Sequence, residues 1–486
     1  MTRFVILCCA AFVLAACVQA PPSIEGGAAA PPAPNAYWVP PASVMHAADT
    51  ASRSVVRPAI PPDALEHLSI ADAVDLALTN NPATRISWAQ ARAAADLYGA
   101  SRGTLYPTLS AGAAITRSKA LTTSTLVAGE RTQYGPSASL SYLVLDFGGR
   151  SGAIAAARQT AVAADLAHNA TVQSTVLAVE VSIFNFLGTR ALRDADKSAV
   201  DEAAANLAAA EERHRVGLAT IADVLQARTA HSQAQLDLES LEGELNVARG
   251  GLAVAMGLPA TTPFDVPDVP PADSAHAVSA SVDSLIALAV RSRPELAEAQ
   301  AQAEVAAAEV RATRGAALPS IVLTGTGGYT GSDIQNFQGR TYTLNLGLSI
   351  PVFAGFSHLY DVRAANEQLK AAQARTEQTR QQIALDVFTS YYGLRTATDR
   401  VGTAADLLAS AEESERVAHG RYTEGVGSIV DLLIAQSALA SARAQAVQSR
   451  WQWRAALAQF AHDVGVLGIH GESLLPLDAN SSPNNR

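Results

Sequence analysis

Cysteine is confined to the first 17 residues, at Cys8, Cys9 and Cys17. The rest of the chain therefore has neither a disulfide framework nor a thiol nucleophile. Of its 486 residues only 5% are aromatic and 16% charged, the formal charge is -10, and Lys and Arg form no cluster. Nucleic acid is excluded as the main partner, because phosphate binding needs concentrated positive charge. Catalytic signatures are missing too: there is no HExxH, no GxSxG and no phosphate loop. The run GTGGYTG beginning at Gly325 lacks dinucleotide-binding spacing and falls in a strand pattern, where glycine relieves crowding. The ten histidines include no pair at helical ligand spacing. No enzyme activity, metal or cofactor is expected.

Proline is missing from Ser137 to Leu258 and again from Val352 to Leu475, in a chain that has 23 of them. An internal proline breaks the helical hydrogen-bond ladder, so the two gaps predict very long helices. The alanine-rich apolar half of the composition favours helices that pack closely. Gly149 to Arg213 alone would run roughly 100 Å as helix, at ~1.5 Å per residue. Within it Val172, Val176, Val179, Ile183 and Phe186 step by four and three, the seam of a coiled coil. Lys and Glu on these helices read as solvated faces, and Trp451 and Trp453 as packing on different faces.

The chain repeats itself. AVDLALTNNPATR (73–85) and LIALAVRSRPELA (285–297) set Pro82 over Pro294, and LYPTL sets Pro107 over Pro319, both pairs 212 positions apart. VGLATIADVLQAR (216–228) returns 208 positions later as EGVGSIVDLLIAQ (424–436). A duplication explains the register. The expected domains are a signal peptide at 1–16, a Pro-rich tail at 17–66, repeats at 67–275 and 276–470, and a C-terminal tail at 471–486.

Each repeat reads helix, strand, polar loop, strand, very long helix, turn, long helix. TLNLGLSI (343–350) puts Leu344, Leu346, Leu348 and Ile350 on one face and Thr343, Asn345, Gly347 and Ser349 on the other, which is strand alternation. Looser alternation occupies Leu109–Ile115, Leu140–Val144 and Ile321–Tyr329, with hairpin tips around Lys119–Gln133 and Gly331–Arg340. Apolar residues on one face and small polar ones on the other suit lipid-facing barrel strands. Four strands cannot close, and an open edge in lipid leaves backbone groups unpaired. Several chains must share a barrel, and three would give twelve strands above a ring of helices.

MTRFVILCCAAFVLAAC has one early cation, Arg3, and an apolar run too short to span a bilayer, and reads as an export signal. Its end, Leu14-Ala15-Ala16-Cys17, resembles a bacterial lipoprotein signal, which makes Cys17 the expected lipidated (palmitoylated) residue. Ten prolines between Pro21 and Pro62 describe an extended tether behind it.

Asn81-Pro82, the prolines entering the odd strands (Pro107, Pro319) and the doubled glycine-to-aspartate motif together resemble the TolC-type outer-membrane factors, over about Leu68 to Gly468. The resemblance implies a trimeric outer-membrane channel: a twelve-stranded β-barrel joined to a periplasmic α-helical barrel. It would passively export what an inner-membrane RND or ABC transporter and a periplasmic adaptor protein deliver. Drug or metabolite efflux is favoured over type I protein secretion, and a periplasmic coiled-coil scaffold is the rival from outside the channel class. In the family the motif-bearing helices close the periplasmic end. Asp223 and Asp431 match luminal aspartates there, and Tyr422 matches a tyrosine that holds the entrance shut. Gly427 and Ile434 stand where the best-known member has an arginine and a second aspartate, so the same closing network is not carried over.

A second role for the aspartates follows from spacing alone. Thr220 and Ser428 each precede an aspartate by three positions, as in a capping box, and a negative charge suits a helix N-terminus. Gly217 and Gly425 are the expected turn glycines at the tips.

Overall fold

The computed structural model describes residues 63–119, 130–268, 280–333 and 338–467. The signal sequence, Cys17, residues 17–62 of the tail, part of both hairpin tips and the tail at 471–486 lie outside the described residues. After a short helical turn at Asp63–Glu66 the elements are α1 (Ile70–Asn80), α2 (Pro82–Arg102), β1 (Thr108–Lys119), β2 (Glu130–Leu145), α3 (Gly149–Arg215) and α4 (Ile221–Ala255), followed by α5 (Val282–Ser292), α6 (Pro294–Ala316), β3 (Ser320–Ser332), β4 (Gly339–Ser349), α7 (Ser357–Thr423) and α8 (Ile429–Val464). The proline gaps hold α3 and α7, each of 67 residues. The strands run further into the polar ends than the sequence pattern suggests: Glu130–Gln133, Gly331, Ser332, Gly339 and Arg340 are paired strand residues rather than loop.

The breaks between α1 and α2 and between α5 and α6 show why the repeat is visible in the sequence. Proline clashes with a helical predecessor, and Asn81 and Arg293 accordingly have extended ψ values of 127° and 124°. Into each break fits a glycine that ends a return helix. Gly257 (φ +75°) lies on Asn80 and Asn81, where an added Cβ would come within 2.6 Å of the Asn80 carbonyl carbon. Gly465 (φ +78°) lies on Ser292, with the Ser292 Oγ 2.5 Å from an added Cβ. Hydrogen bonds repeat with the geometry: Asn81 Nδ2 donates to the Ala255 carbonyl (3.0 Å), and Ser292 Oγ to that of Val464 (2.9 Å).

The four strands form one antiparallel sheet in the order β1-β2-β3-β4, and beneath it α2, α3, α6 and α7 pack side by side in the same order. Both edges are open, at β1 with α2 and at β4 with α7. α3 is the one described helix long and apolar enough to cross a membrane. It packs along α1, α2, α4, α6 and α8. The predicted seam is its buried face: Val176, Val179, Ile183 and Phe186 are almost fully covered.

The sheet's two faces differ sharply. Register puts Leu109, Leu140, Leu323 and Leu346 with Leu344 and Leu348 on one side, and Leu344 is 71% exposed. On the other side Ser110, Ser139, Thr326 and Thr343 make one cross-strand row, and Thr108, Ser141, Thr324 and Asn345 the next. The Ser110 and Ser139 hydroxyls are 2.7 Å apart. Glycines of the GTGGYTG run let β3 approach its neighbour: a Cβ on Gly328 would lie 2.6 Å from the Pro136 carbonyl oxygen.

One sequence reading fails inside the helices. Glu180 was expected on a solvated face, yet it is 5% exposed within the α3 seam. No other described residue gives it a hydrogen bond or ion pair, and burial pushes its carboxyl up from 4.5 to about 7. The tryptophans do face different ways: Trp451 lies on Gly188 and Phe184 of α3, while the Trp453 indole Nε1 donates to Thr398 Oγ1 of α7 at 3.2 Å.

Candidate functional site at the helix tips

The far ends of the long helices carry the doubled motif. At Gly217 (φ +79°) and Gly425 (φ +73°) the chain turns through left-handed conformation, which only glycine adopts without strain. Each return helix then begins with a reciprocal cap. Thr220 Oγ1 accepts from the Asp223 amide (3.2 Å), while Asp223 Oδ2 accepts from the Thr220 amide (2.7 Å) and hydroxyl (2.9 Å). Ser428 Oγ accepts from the Asp431 amide (3.1 Å), and Asp431 Oδ2 from the Ser428 amide (3.4 Å). In both caps the same carboxylate oxygen is engaged, which leaves Oδ1 without a capping role. Asp431 is exposed and Asp223 half-buried. Removing such a cap costs about 1 kcal/mol. Thr220→Ala and Ser428→Ala should each lower the unfolding free energy by that amount, checked by chemical denaturation.

The two tips pack together. Ala210 of α3, Val224 and Ala227 of α4 and Ile429 of α8 form a buried cluster, with Leu207, Tyr422 and Leu433 around it. A line of polar contacts runs up from it between the repeats. Arg213 stacks on the Tyr422 ring at 4.5 Å and donates to the Tyr422 carbonyl at 2.9 Å. Asn206 Nδ2 donates to Gln436 Oε1 at 2.7 Å, and Arg443 pairs with Glu202 at 3.0 Å. The Tyr422 hydroxyl is buried with no hydrogen-bond partner among the described residues. An orphan of that kind costs on the order of 1–3 kcal/mol while the tips stay together.

Sequence reasoning missed Arg213. The signal was available, since Arg213 and Arg421 occupy the same position in the two repeats, four residues before the tip glycine. Gly427 leaves little room for any side chain: a Cβ there would lie 3.0 Å from the Arg421 Cβ and 3.2 Å from backbone. The guanidinium that stacks on Tyr422 is that of Arg213, from the other repeat. Ile434 is exposed on α8, as are Val430 and, on α4, Ile221 and Leu225. Among the described residues no His, Cys, Asp or Glu group has the arrangement of a metal site.

A family model described as outer membrane efflux protein matches residues 73–258 and 285–465. Protein CyaE of Bordetella pertussis is 29% identical over 433 residues, covering 87% of this chain and 90% of that one. The toluene efflux pump outer membrane protein TtgC of Pseudomonas putida is 25% identical over 383 residues, covering 78% of each. Among solved structures, the outer membrane protein VceC of Vibrio cholerae superposes with a TM-score of 0.73 at 18% identity, over 82% of this chain and 96% of that one. The two matched segments coincide with the two halves of the duplication, each carrying one hairpin and one capped tip, and on that ground the chain belongs to the outer membrane efflux protein family.

Proposed function

We propose that three copies of this chain close into one outer-membrane exit channel that passively conducts small molecules handed over by an inner-membrane pump and a periplasmic adaptor. The observation that carries it is the sheet: four strands with an apolar outer face, a hydroxyl-lined inner face and two unpaired edges. In lipid such edges must pair, and β4 of one copy with β1 of the next does so without altering any existing pair. The helical edges agree. Ile86 and Leu97 are exposed on one face of α2, and Leu385, Phe388 and Tyr392 on α7, which gives each edge apolar side chains for the neighbouring copy. Efflux is favoured by TtgC, whose name assigns it to a toluene efflux pump. In line with that, the two rows Ser110, Ser139, Thr326, Thr343 and Thr108, Ser141, Thr324, Asn345 give the inner face an uncharged hydroxyl and amide lining, with Arg131 joining that face at the hairpin tip opposite Ser118. Co-purification after crosslinking tests the reading: an RND pump with its adaptor supports it, and an ABC exporter with a protein cargo overturns the efflux half. The Pro-rich tail and a lipid on Cys17 belong to the same proposal as a membrane tether, checked by mass spectrometry of the mature N-terminus.

The tips would form the periplasmic entrance. Three copies bring six carboxylates, Asp223 and Asp431, to one ring, and charges about 6 Å apart repel by roughly 0.7 kcal/mol even in water. Asparagine keeps an acceptor for the cap and removes the charge. The double variant Asp223→Asn/Asp431→Asn should therefore lose cation selectivity in planar bilayers with little loss of stability. Unchanged selectivity would leave the aspartates as caps only. Arg213 fastens one repeat to the other beside the orphaned Tyr422 hydroxyl, which water would satisfy once the tips part. Arg213→Ala should raise single-channel conductance or open probability several-fold, and unaltered conductance would show that the entrance is held elsewhere.

A further inference from the structure

The outward row of β4 reads Leu348, Leu346, Leu344, Tyr342 and then Arg340, and that of β1 reads Leu109, Ala111, Ala113, Ile115 and then Arg117 and Lys119. On both strands the apolar residues give way to cations on the same side of the sheet, at the end away from the helices. Arg117 lies nine residues from the Thr108 end of β1, and Arg340 nine residues from the Ser349 end of β4, so the two stand at one height. Measured from the strand feet, at ~3.3 Å per residue and a tilt of about 45°, that height is roughly 21 Å, next to the far edge of a ~25 Å apolar band. A long cationic side chain there carries its charge to the headgroups while its stem stays in the apolar layer.

Little at that end neutralises these cations. Arg117 and Lys119 share one carboxylate, Glu130, at 2.6 and 3.7 Å, and their side chains are still 72% and 62% exposed. Arg340 is exposed and makes no hydrogen bond or ion pair among the described residues. Asp333, the other acid at this end, is occupied, its Oδ1 accepting from the Thr132 amide at 2.9 Å. Residues 120–129 and 334–337 add no charge to the sequence there. β1 and β4 are the two open edges of the sheet, so the cations of one chain stand on opposite sides of it. They meet when β4 of one copy pairs with β1 of the next. Each of three seams then carries Arg340 from one copy, and Arg117 and Lys119 from its neighbour, around a single Glu130. Two guanidinium forks and an ammonium at a lipid boundary suit phosphate, which guanidinium grips with two parallel hydrogen bonds.

We propose that each seam is a binding site for the phosphorylated headgroup of an outer-leaflet glycolipid, a lipopolysaccharide, which thereby bridges neighbouring copies. The inference rests on closure of three copies through β4 and β1, and its test separates the two. The full-length protein is purified in detergent and followed by native mass spectrometry with added bisphosphorylated lipid A, phosphatidylethanolamine or inorganic phosphate. A three-chain species should retain up to three lipid A molecules, and neither of the other two probes. Arg117→Gln/Lys119→Gln/Arg340→Gln should weaken that retention at least ten-fold. Glu130→Gln, which frees both cations of β1, should strengthen it several-fold, a gain that misfolding cannot imitate. If no three-chain species forms, closure itself fails. If one forms and retains lipid A equally in the parent and the triple variant, the site is overturned and the cations are rim charges in water. Retention of phosphatidylethanolamine at the same level, or of inorganic phosphate in place of lipid A, overturns the assignment to a phosphorylated glycolipid. Should the triple variant not fold, unchanged retention in Glu130→Gln likewise overturns the proposal.

Discussion

Replacing Glu180 by glutamine should stabilise the protein by about 3 kcal/mol above pH 7, with the gain vanishing below about pH 4.5. The carboxyl is ordinary in the unfolded chain and raised to about 7 when buried in the α3 seam. Below the unfolded value both states are protonated and burial costs nothing through this group. As pH rises the unfolded chain releases its proton first, so the folded state loses stability progressively, and the loss is complete once pH passes the folded value. A neutral amide of nearly the same shape avoids that penalty, although it still has to place two donors in an apolar seam, which offsets part of the gain. Thermal or denaturant unfolding at pH 8 and pH 4 measures the difference. A wild type as stable as the variant at pH 8 would show that Glu180 has a partner in the assembled protein.

The second large effect is expected where α3 crosses α6 just beneath the barrel. A Cβ on Gly152 would fall 2.5 Å from the Ala312 amide nitrogen, and one on Gly315 would fall 2.1 Å from the Gly149 nitrogen. Both obstacles are backbone and cannot rotate away. Gly315→Val should therefore cost about 3 kcal/mol or more and reduce the yield of heat-modifiable oligomer, since overpacking against a fixed neighbour displaces a whole helix. Gly393 and Gly402 on α7 are the controls. Nothing lies within 4 Å of a Cβ at either, and alanine there should be neutral or stabilise by roughly 0.5–1 kcal/mol through helix propensity. If Gly315→Val matched Gly393→Ala in melting temperature and oligomer yield, the close crossing would not be what positions the barrel over the helices.

Much of the architecture was legible because the physics behind it is local. Proline cannot sit inside a helix, so its gaps outlined α3 and α7. Alternation of Leu344, Leu346 and Leu348 with Thr, Asn and Gly can be satisfied only by a strand with two unlike faces. The capping spacing of Thr220 to Asp223 and Ser428 to Asp431 needs three residues of chain and no tertiary context. The strand ends were less legible: Glu130 and Arg131 look like loop by composition, and only cross-strand pairing makes them strand.

The site divides along the same line. Sequence alone determined the duplication, the two capped turns, the glycines that permit them and the outer and inner faces of the hairpins, since each follows from neighbours in the chain. Tertiary structure decided what the two tips do to each other. Arg213 and Tyr422 are 209 positions apart, and no periodicity announces that one stacks on the other. The burial of Glu180 was hidden for a similar reason. A single carboxylate among valines can face water or protein, and the choice depends on which helices pack along α3.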